Sequence, residues 1–549
     1  MIRWRLSVAI VLLFAVAFPA AIPFIELIQQ PEGWLAWSEL GRLLSLASNT
    51  IALAAGTLAL ALPIGIALAV LFYRSDLPLR GWLRFLVLLC LFVPLPLFAT
   101  AWQAALGTTG WLPLTFWTPA APGDPDVSPQ GVLVKPWAYG LVPVIWVQTV
   151  ASLPWVILLV GQALVWVERE LEEDMLTVVG RWRVLWFVTL PRCRVAIFAA
   201  GLWIVLQTAT EITITDMMQV RTFAEEVYTQ IVAGDRFSLA RAVASALPAT
   251  LVVAALVLWV TRRWEQTLPA LNTLSPPFCL VRLGKARWPV FAVVFALMLA
   301  ITLVPVGSLV WKAGLAGSPP SWSAGVMSRH LITVVHVRGL LVLESTGLAI
   351  VAGIVTVVVG LVTCWLARES SWFRALALGI MAVSWAVAGP IIGLGLNAII
   401  QRVSEPYWLA VVLYYGPSPV PALWAQFIRF LPCAIALLWP MVRFIPVELI
   451  DAARVDGARP WQEFRHIVFP LTVQSAAWTA LAVAILALGE ISAGKIVATP
   501  GSQTFGHEVF TQMHYGVSND LAAMCLLLLV VIVLGTSIAF LGRRRFWSE

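Results

Sequence analysis

Twelve apolar runs dominate this chain, each about as long as a helix must be to cross a hydrocarbon core of roughly 30 Å. They lie at about 5–27, 48–73, 82–104, 138–165, 195–214 and 243–261, and again at about 289–311, 341–367, 373–400, 421–442, 473–494 and 519–541. Backbone polar groups have no water to bond with inside a bilayer, so runs of this length must be helical. The 549 residues are 60% hydrophobic and 11% charged, with a mean hydropathy of +0.90, which excludes a soluble globule. The expected fold is an all-α polytopic membrane protein of about 12 transmembrane helices. MIRWR and the apolar stretch after it look superficially like a signal peptide. The apolar part, about 20 residues, is too long for the usual signal core and reads as a retained first span.

The basic residues follow the runs. Arg3, Arg5, Arg74, Arg80, Arg84, Arg169, Arg181, Arg183, Arg192 and Arg194 fall between alternate runs, all on one side. Arg262, Arg263, Arg368, Arg374, Arg443, Arg454, Arg459, Arg465 and the Arg543–Arg545 cluster continue the series. The positive-inside tendency then places both termini and these segments in the cytoplasm. Topology explains the formal net charge of +7 better than nucleic-acid binding does. The six cysteines are scattered without a CxxC pair, so neither a disulfide framework nor a zinc site is indicated. Of the 28 tryptophans many stand near run ends, as in an interfacial belt. The segment 28–47, with Trp34, Leu35, Leu40 and Leu43 among polar residues, suits an interfacial helix, and the opposite-side loops 105–137 and 312–340 are turn-rich.

A polar, proline-bearing segment at 262–288 divides the runs six and six, giving a first half at 1–261 and a second at 289–549. The halves repeat. Pro191 to Glu211 spans the same number of residues as Pro470 to Glu490, ending in ATEITITD and LGEISAGK. RTFAEEVYTQ (221–230) matches QTFGHEVFTQ (503–512), and SNTIALAAG resembles STGLAIVAG. Six spans per half give the copies one orientation, related by an axis along the membrane normal. An ion-coupled secondary transporter, the alternative transport class, would more often carry inverted repeats of odd span number. A membrane enzyme would need a clustered acidic or His-rich surface loop, which the sequence lacks.

The most polar stretch of the second half, Ile445 to Thr472, reads IPVELIDAARVDGARPWQEFRHIVFPLT. Pro446 can open a helix, with Glu448 and Asp451 near the positive end of its dipole. Gly457 offers a left-handed turn and Pro460 can open a second helix. On that second arm Trp461, Phe464, Ile467 and Val468 share a face, with Glu463, Arg465 and His466 off it. The first half carries a counterpart at 171–192, LEEDMLTVVGRWRVLWFVTLPR. Aligned on the proline, Glu172 matches Asp451, Trp182 matches Trp461, and Glu173, Asp174 and Val178 replace Ala452, Ala453 and Gly457. The first copy has lost the turn glycine, and Gly180 is the available substitute.

DAARVDGARPWQEFRHIVFP resembles the EAA signature of bacterial ABC-transporter permeases. Two six-span halves in one chain resemble the fused permeases of the iron(III) and thiamine uptake systems, with a type I importer fold. The resemblance implies that Asp451, Ala452, Ala453, Asp456, Gly457, Trp461, Phe464 and Pro470 form a coupling element seated in an ATP-binding subunit. Glu172, Glu173, Trp182 and Pro191 would form a degenerate second one. It also implies two cytoplasmic ATP-binding subunits, an extracytoplasmic substrate-binding protein, and ATP with Mg²⁺ bound by those partners. No cofactor or metal would be held by this chain, and it would not itself be an enzyme. Iron(III) is the substrate best matched by the resemblance, with thiamine, sulfate or molybdate and polyamines as alternatives in the same class. The implied location is the bacterial cytoplasmic membrane.

Other residues invite chemistry. An acidic residue at the edge of an apolar run is costly and calls for a reason. Twenty helical residues rise about 30 Å, which puts Glu211 and Glu490 near the outer mouth. They either form a cation-favouring pathway with Asp216 nearby, or cap the following loop or pair with Arg221 and Lys495. GEISAGK (489–495) has the spacing of a phosphate-binding loop, but Ile496 stands where Ser or Thr would hold Mg²⁺, and an apolar run precedes it. His507 and His514 lie seven apart, a weak metal pattern outweighed by a solvated outer loop.

Overall fold

The computed structural model describes the chain except residues 108–109, 113–115, 119–131, 135–136, 234–235, 268–279, 318–319, 404–406 and 547–549. Much of the 262–288 linker therefore lies outside the described residues. Helix accounts for nearly all of the remainder. Two two-stranded antiparallel hairpins, Phe116–Thr118 with Val132–Val134 and Leu315–Ala316 with Ser321–Trp322, occupy the long loops.

Among the described residues nine helices are long and apolar enough to cross a bilayer, and three bent pairs bring the total to twelve. The runs expected at 82–104 and 373–400 are not straight spans. Arg80–Leu91 and Leu95–Leu106 meet at 101°, and Ser371–Ala386 and Gly389–Arg402 at 107°. Prolines cause both breaks. Pro94 is extended and caps the second piece, while Val387 and Ala388 are extended just ahead of Gly389–Pro390. A 12-residue piece such as Leu95–Leu106 rises only about 18 Å, too short to cross alone. The third pair, Arg181–Arg192 and Arg194–Thr210, bends by 64° at Cys193.

Other boundaries moved as well. Ala324–Arg368 is one helix of 45 residues, so 324–340, expected within a turn-rich loop, continues the span. The segment 28–47 is a 3-10 stretch, Pro31–Ser38, followed by the start of Leu40–Arg74, and the Trp37 indole N–H donates to the Ala244 carbonyl at 3.0 Å.

The two halves exchange helices. One buried core joins Leu53, Phe72, Val150 and Ile157 of the first half to Met298, Ile301, Leu521 and Ile532 of the second. The other joins Leu361, Phe373, Ile428 and Leu438 of the second half to Leu12, Val16, Ala242 and Ala246 of the first. The first and last helices of each half thus pack in the partner half's core. The N-terminal helix is fixed there by Trp424 donating to the Ala15 carbonyl at 2.7 Å and by Arg5 beside Glu369 at 3.5 Å. Gly395 lets it approach, since a β-carbon there would collide with the Pro19 carbonyl oxygen.

Candidate coupling loops and central cavity

The second loop is built as its residues require. Val447–Val455 forms the first arm, and Gly457 follows it at φ +78°. The Gly457 N–H donates to Arg454 and the Ala458 N–H to Ala453, which is the Schellman closure of a helix end. A β-carbon on Gly457 would meet nothing within 4 Å, so backbone conformation alone demands glycine there. Pro460–Glu463 opens the second arm, and the Gln462 side chain accepts from the Arg459 N–H at 2.8 Å. This arm continues without a break into its span, as one helix from Pro460 to Ala487. Asp451, Ala452, Asp456, Gly457 and Trp461 are exposed, Ala453 is half-buried, and Phe464 is buried against Trp365 with ring centroids 5.0 Å apart. Trp461 stacks on Phe464 and on Trp4 of the N-terminal helix. Pro470 is exposed one residue into the span.

Glu463, expected off the apolar face, is buried instead. It accepts from the Arg454 guanidinium at 3.0 and 3.2 Å and from the Trp365 indole at 3.1 Å, and Arg454 also reaches Glu369. Residues 464–468 are wound as a π turn, which rotates the faces relative to a 3.6-residue count.

The first loop is held differently. Glu172, on Arg169–Leu176, is fully buried, as is its partner Arg74 at the end of Leu40–Arg74. One guanidinium nitrogen lies 2.7 and 2.8 Å from the two carboxylate oxygens, and the Thr189 hydroxyl donates to the same carboxylate at 2.7 Å. Glu173 makes a surface pair with Arg169 at 2.6 Å, and Val178 and Trp182 are exposed. Gly180 is extended at φ −71°, so it does not replace the left-handed Gly457. Pro191 sits in the short turn before the bend at Cys193.

Among the described residues, two of the cavities lie between the halves. The larger, about 510 Å³, is lined by Trp166, Thr261, Ala367 and Met441, near helix ends that lead toward the loops. The smaller, about 220 Å³, is lined by the Pro94 break, Gln207, Glu211, Arg429, Glu490 and Ser492. Trp155, Trp203 and Trp385 line both, with Trp155 and Trp203 centroids 4.2 Å apart and Trp203 and Trp385 6.2 Å apart. These indoles form the partition.

Glu211 and Glu490 occupy equivalent places. Glu211 accepts from the backbone N–H of Thr213 at 2.5 Å and Ile214 at 3.1 Å. Glu490 accepts from Ala493 at 2.8 Å, Gly494 at 3.0 Å and the Ser492 hydroxyl at 3.1 Å. Each carboxylate caps the short helix that follows it, while also lining the cavity. Asp216 does not line it. It meets His514 at 2.9 Å across the seam between the halves, and Lys495 bonds the Tyr228 hydroxyl at 2.6 Å in the same layer. The hydrogen bond to Asp216 raises the His514 pKa, whereas burial, then Lys495, lowers that of His507 to about 4. His514 is thus engaged by Asp216 and the Phe510 carbonyl, while His507 is buried. Glycine-bearing 489–495 is a cap around Glu490 preceded by the helix Phe469–Ala487, not a strand and phosphate loop.

The sequence does not reveal the fastening role of Arg74, Thr189, Arg454, Glu463 and Trp365, or the place of Arg429 in the cavity. One signal was present. Leu153–Pro154 and Leu431–Pro432 align the helices Leu141–Val165 and Val420–Arg443, matching Gln148 to Gln426 and Ala151 to Arg429. An arginine that replaces alanine inside an apolar repeat marks itself out.

Comparison with known proteins agrees with this architecture. Residues 356–545 match the model of the family described as binding-protein-dependent transport system inner membrane component. The trehalose transport system permease protein SugB of Mycobacterium tuberculosis is 27% identical over 225 residues, covering 38% of this chain and 75% of that protein. The probable sulfate transport system permease protein cysT of Marchantia polymorpha is 25% identical over 238 residues, 41% of this chain and 78% of that one. The putative 2-aminoethylphosphonate transport system permease protein PhnV of Salmonella typhimurium is 24% identical over 264 residues, 46% and 90% respectively. The second half thus carries the match to the binding-protein-dependent transport inner membrane component family, and the chain as a whole is similar to permeases of such transport systems.

Proposed function

We propose that this single chain supplies both halves of the membrane path of an ATP-driven importer for a small polar solute. The observation that carries the reading is the pair of polar helical loops, each joined to a span that reaches the cavities between the halves. In particular, Asp451, Ala452, Asp456 and Gly457 stand exposed on the first arm and its turn, and the second arm that follows is continuous with its span. A short stiff element seated in a partner passes that partner's movement to the span, where a flexible loop would absorb it. The occupant proposed for each loop is one of two cytoplasmic ATP-binding subunits, which bind the ATP and Mg²⁺. A substrate-binding protein would deliver the solute on the opposite face, where the Lys495–Tyr228 and Asp216–His514 contacts close the seam. Both termini would then be cytoplasmic, in the cytoplasmic membrane. The relatives support the division into halves, because each is matched over most of its own length by less than half of this chain.

The relatives named above transport trehalose, sulfate and 2-aminoethylphosphonate by their names, and none names iron. Two of those three solutes are oxyanions, so the substrate proposed here is a small polar or anionic solute rather than iron(III). The test is reconstitution of the full chain with the ATPase that co-purifies with it and a binding protein. Solute uptake should require ATP, and Gly457→Pro should abolish it while leaving the chain in the membrane. Uptake driven by an ion gradient without any ATPase would overturn the reading.

A further inference from the structure

The 220 Å³ cavity holds three side chains of the charged types, and their hydrogen bonding separates them into two kinds. Glu211 and Glu490 are committed to backbone N–H groups at the starts of short helices. Arg429 is not committed. Among the described residues it makes one long hydrogen bond, 3.4 Å to the Val387 carbonyl at the break of the bent span, and no ion pair. A guanidinium carries five N–H donors, so most of its capacity is left for whatever occupies the cavity. Burying such a group is costly, and Glu490 and Glu211 offset part of that cost through space without taking up its N–H donors. The cation also breaks the repeat, because Ala151 lines the same cavity from the equivalent place in the first half.

We propose that this cavity is a selectivity checkpoint in which Arg429 receives the anionic oxygens of the transported solute, a carboxylate or tetrahedral oxyanion. A planar guanidinium matches such a group with paired N–H···O bonds, which a lysine ammonium cannot reproduce. The capped carboxylates hold the two short helices in place and leave the positive group to face the solute. Because Arg429 bonds the carbonyl at the Val387 break, an oxyanion that draws the guanidinium away also releases a contact at the hinge of the broken span. The proposal rests on the import reading and narrows its substrate class.

Cys433, one helical turn beyond Arg429, lines both cavities and gives a direct test. The full-length natural chain in detergent is treated with 2-sulfonatoethyl methanethiosulfonate or its 2-(trimethylammonium)ethyl counterpart. In each case the Cys433 thiolate forms a mixed disulfide and displaces methanesulfinate. Modification is read by mass spectrometry of the peptide that contains Cys433. The sulfonate reagent should react about tenfold faster relative to the cationic one than either does with a free thiol. Arg429→Gln should reverse the preference, since both carboxylates remain, while Arg429→Lys should keep it and so control for misfolding. A preference for the cation in the wild-type chain, a ratio unchanged by Arg429→Gln, or no modification by either reagent overturns the checkpoint. ATP-driven uptake, measured separately, decides the import reading whichever way the labelling falls.

Discussion

Glu172 and Asp451 hold aligned positions in the two loops and do different jobs. Each half fastens its loop to the foot of the long helix before it through a buried glutamate, and in both halves that bond links residues 98 apart. In the first half the glutamate is Glu172 on the first arm, locked to Arg74. In the second it is Glu463 on the second arm, locked to Trp365 and Arg454. The second half therefore anchors the arm nearer the membrane and leaves Asp451 to Gly457 uncovered. The first half has spent its aligned acid on internal fastening, and a 64° bend at Cys193 separates its second arm from its span. Position in a repeat thus predicts where a residue stands, not whether it serves the fold or a partner.

The largest expected effect breaks the comparison at its base. Arg74→Ala leaves the Glu172 carboxylate buried without its cation and should cost about 3–5 kcal/mol, read as a lowered melting temperature in detergent. Asp451→Ala removes an exposed group and should change stability by no more than about 0.5 kcal/mol, yet lower ATP-driven uptake. Equal melting temperatures for the two variants would show that the aligned acids are equivalent after all.

Next comes the turn. Gly457→Ala forces a side chain into the left-handed region at a local cost of about 1–2 kcal/mol, and Gly457→Pro in addition removes the N–H that closes on Arg454. In the first loop no residue from 176 to 181 has positive φ, so Val178→Gly should cost under about 1 kcal/mol and leave uptake nearly unchanged. The decisive measurement is uptake per molecule of membrane-inserted protein. A Val178→Gly defect as large as that of Gly457→Ala would mean that the first loop turns by the same device.

Much of this was legible in the sequence because it follows from local rules. Apolar run length gave the spans, the repeat gave the pairing of Glu211 with Glu490, and Gly457 announced its own conformation. What escaped depends on direction or distance. Hydropathy reports that 82–104 and 373–400 are apolar but not that they fold back, although Pro94 and Gly389–Pro390 stood in plain view. A 3.6-residue count puts Glu463 on the wet face because it does not anticipate the π turn beside it. The Arg74–Glu172 lock joins residues far apart in sequence, and no periodicity connects them. Arg429 needed an alignment of the Leu–Pro pairs to stand out against Ala151.

The smallest effect concerns the layer beyond the cavities, where two contacts cross the seam between the halves and only one should respond to ordinary pH. Lys495 bonds Tyr228, whose hydroxyl burial pushes up to about 12, so this contact persists through neutral pH. His514 faces Asp216, the Phe510 carbonyl and Lys495, and the bond to Asp216 raises its pKa above the ordinary 6.5. A group whose folded pKa is raised stabilises fully below its unfolded value, and that stabilisation is lost as pH climbs through the raised one. Both partners are partly exposed, so the gain is at most about 1 kcal/mol. Melting temperatures of the natural chain and Asp216→Asn should therefore differ most below pH 6.5 and converge as the solution becomes alkaline. Parallel curves across that range would mean that the seam is held by Lys495 and Tyr228 with no contribution from the imidazolium.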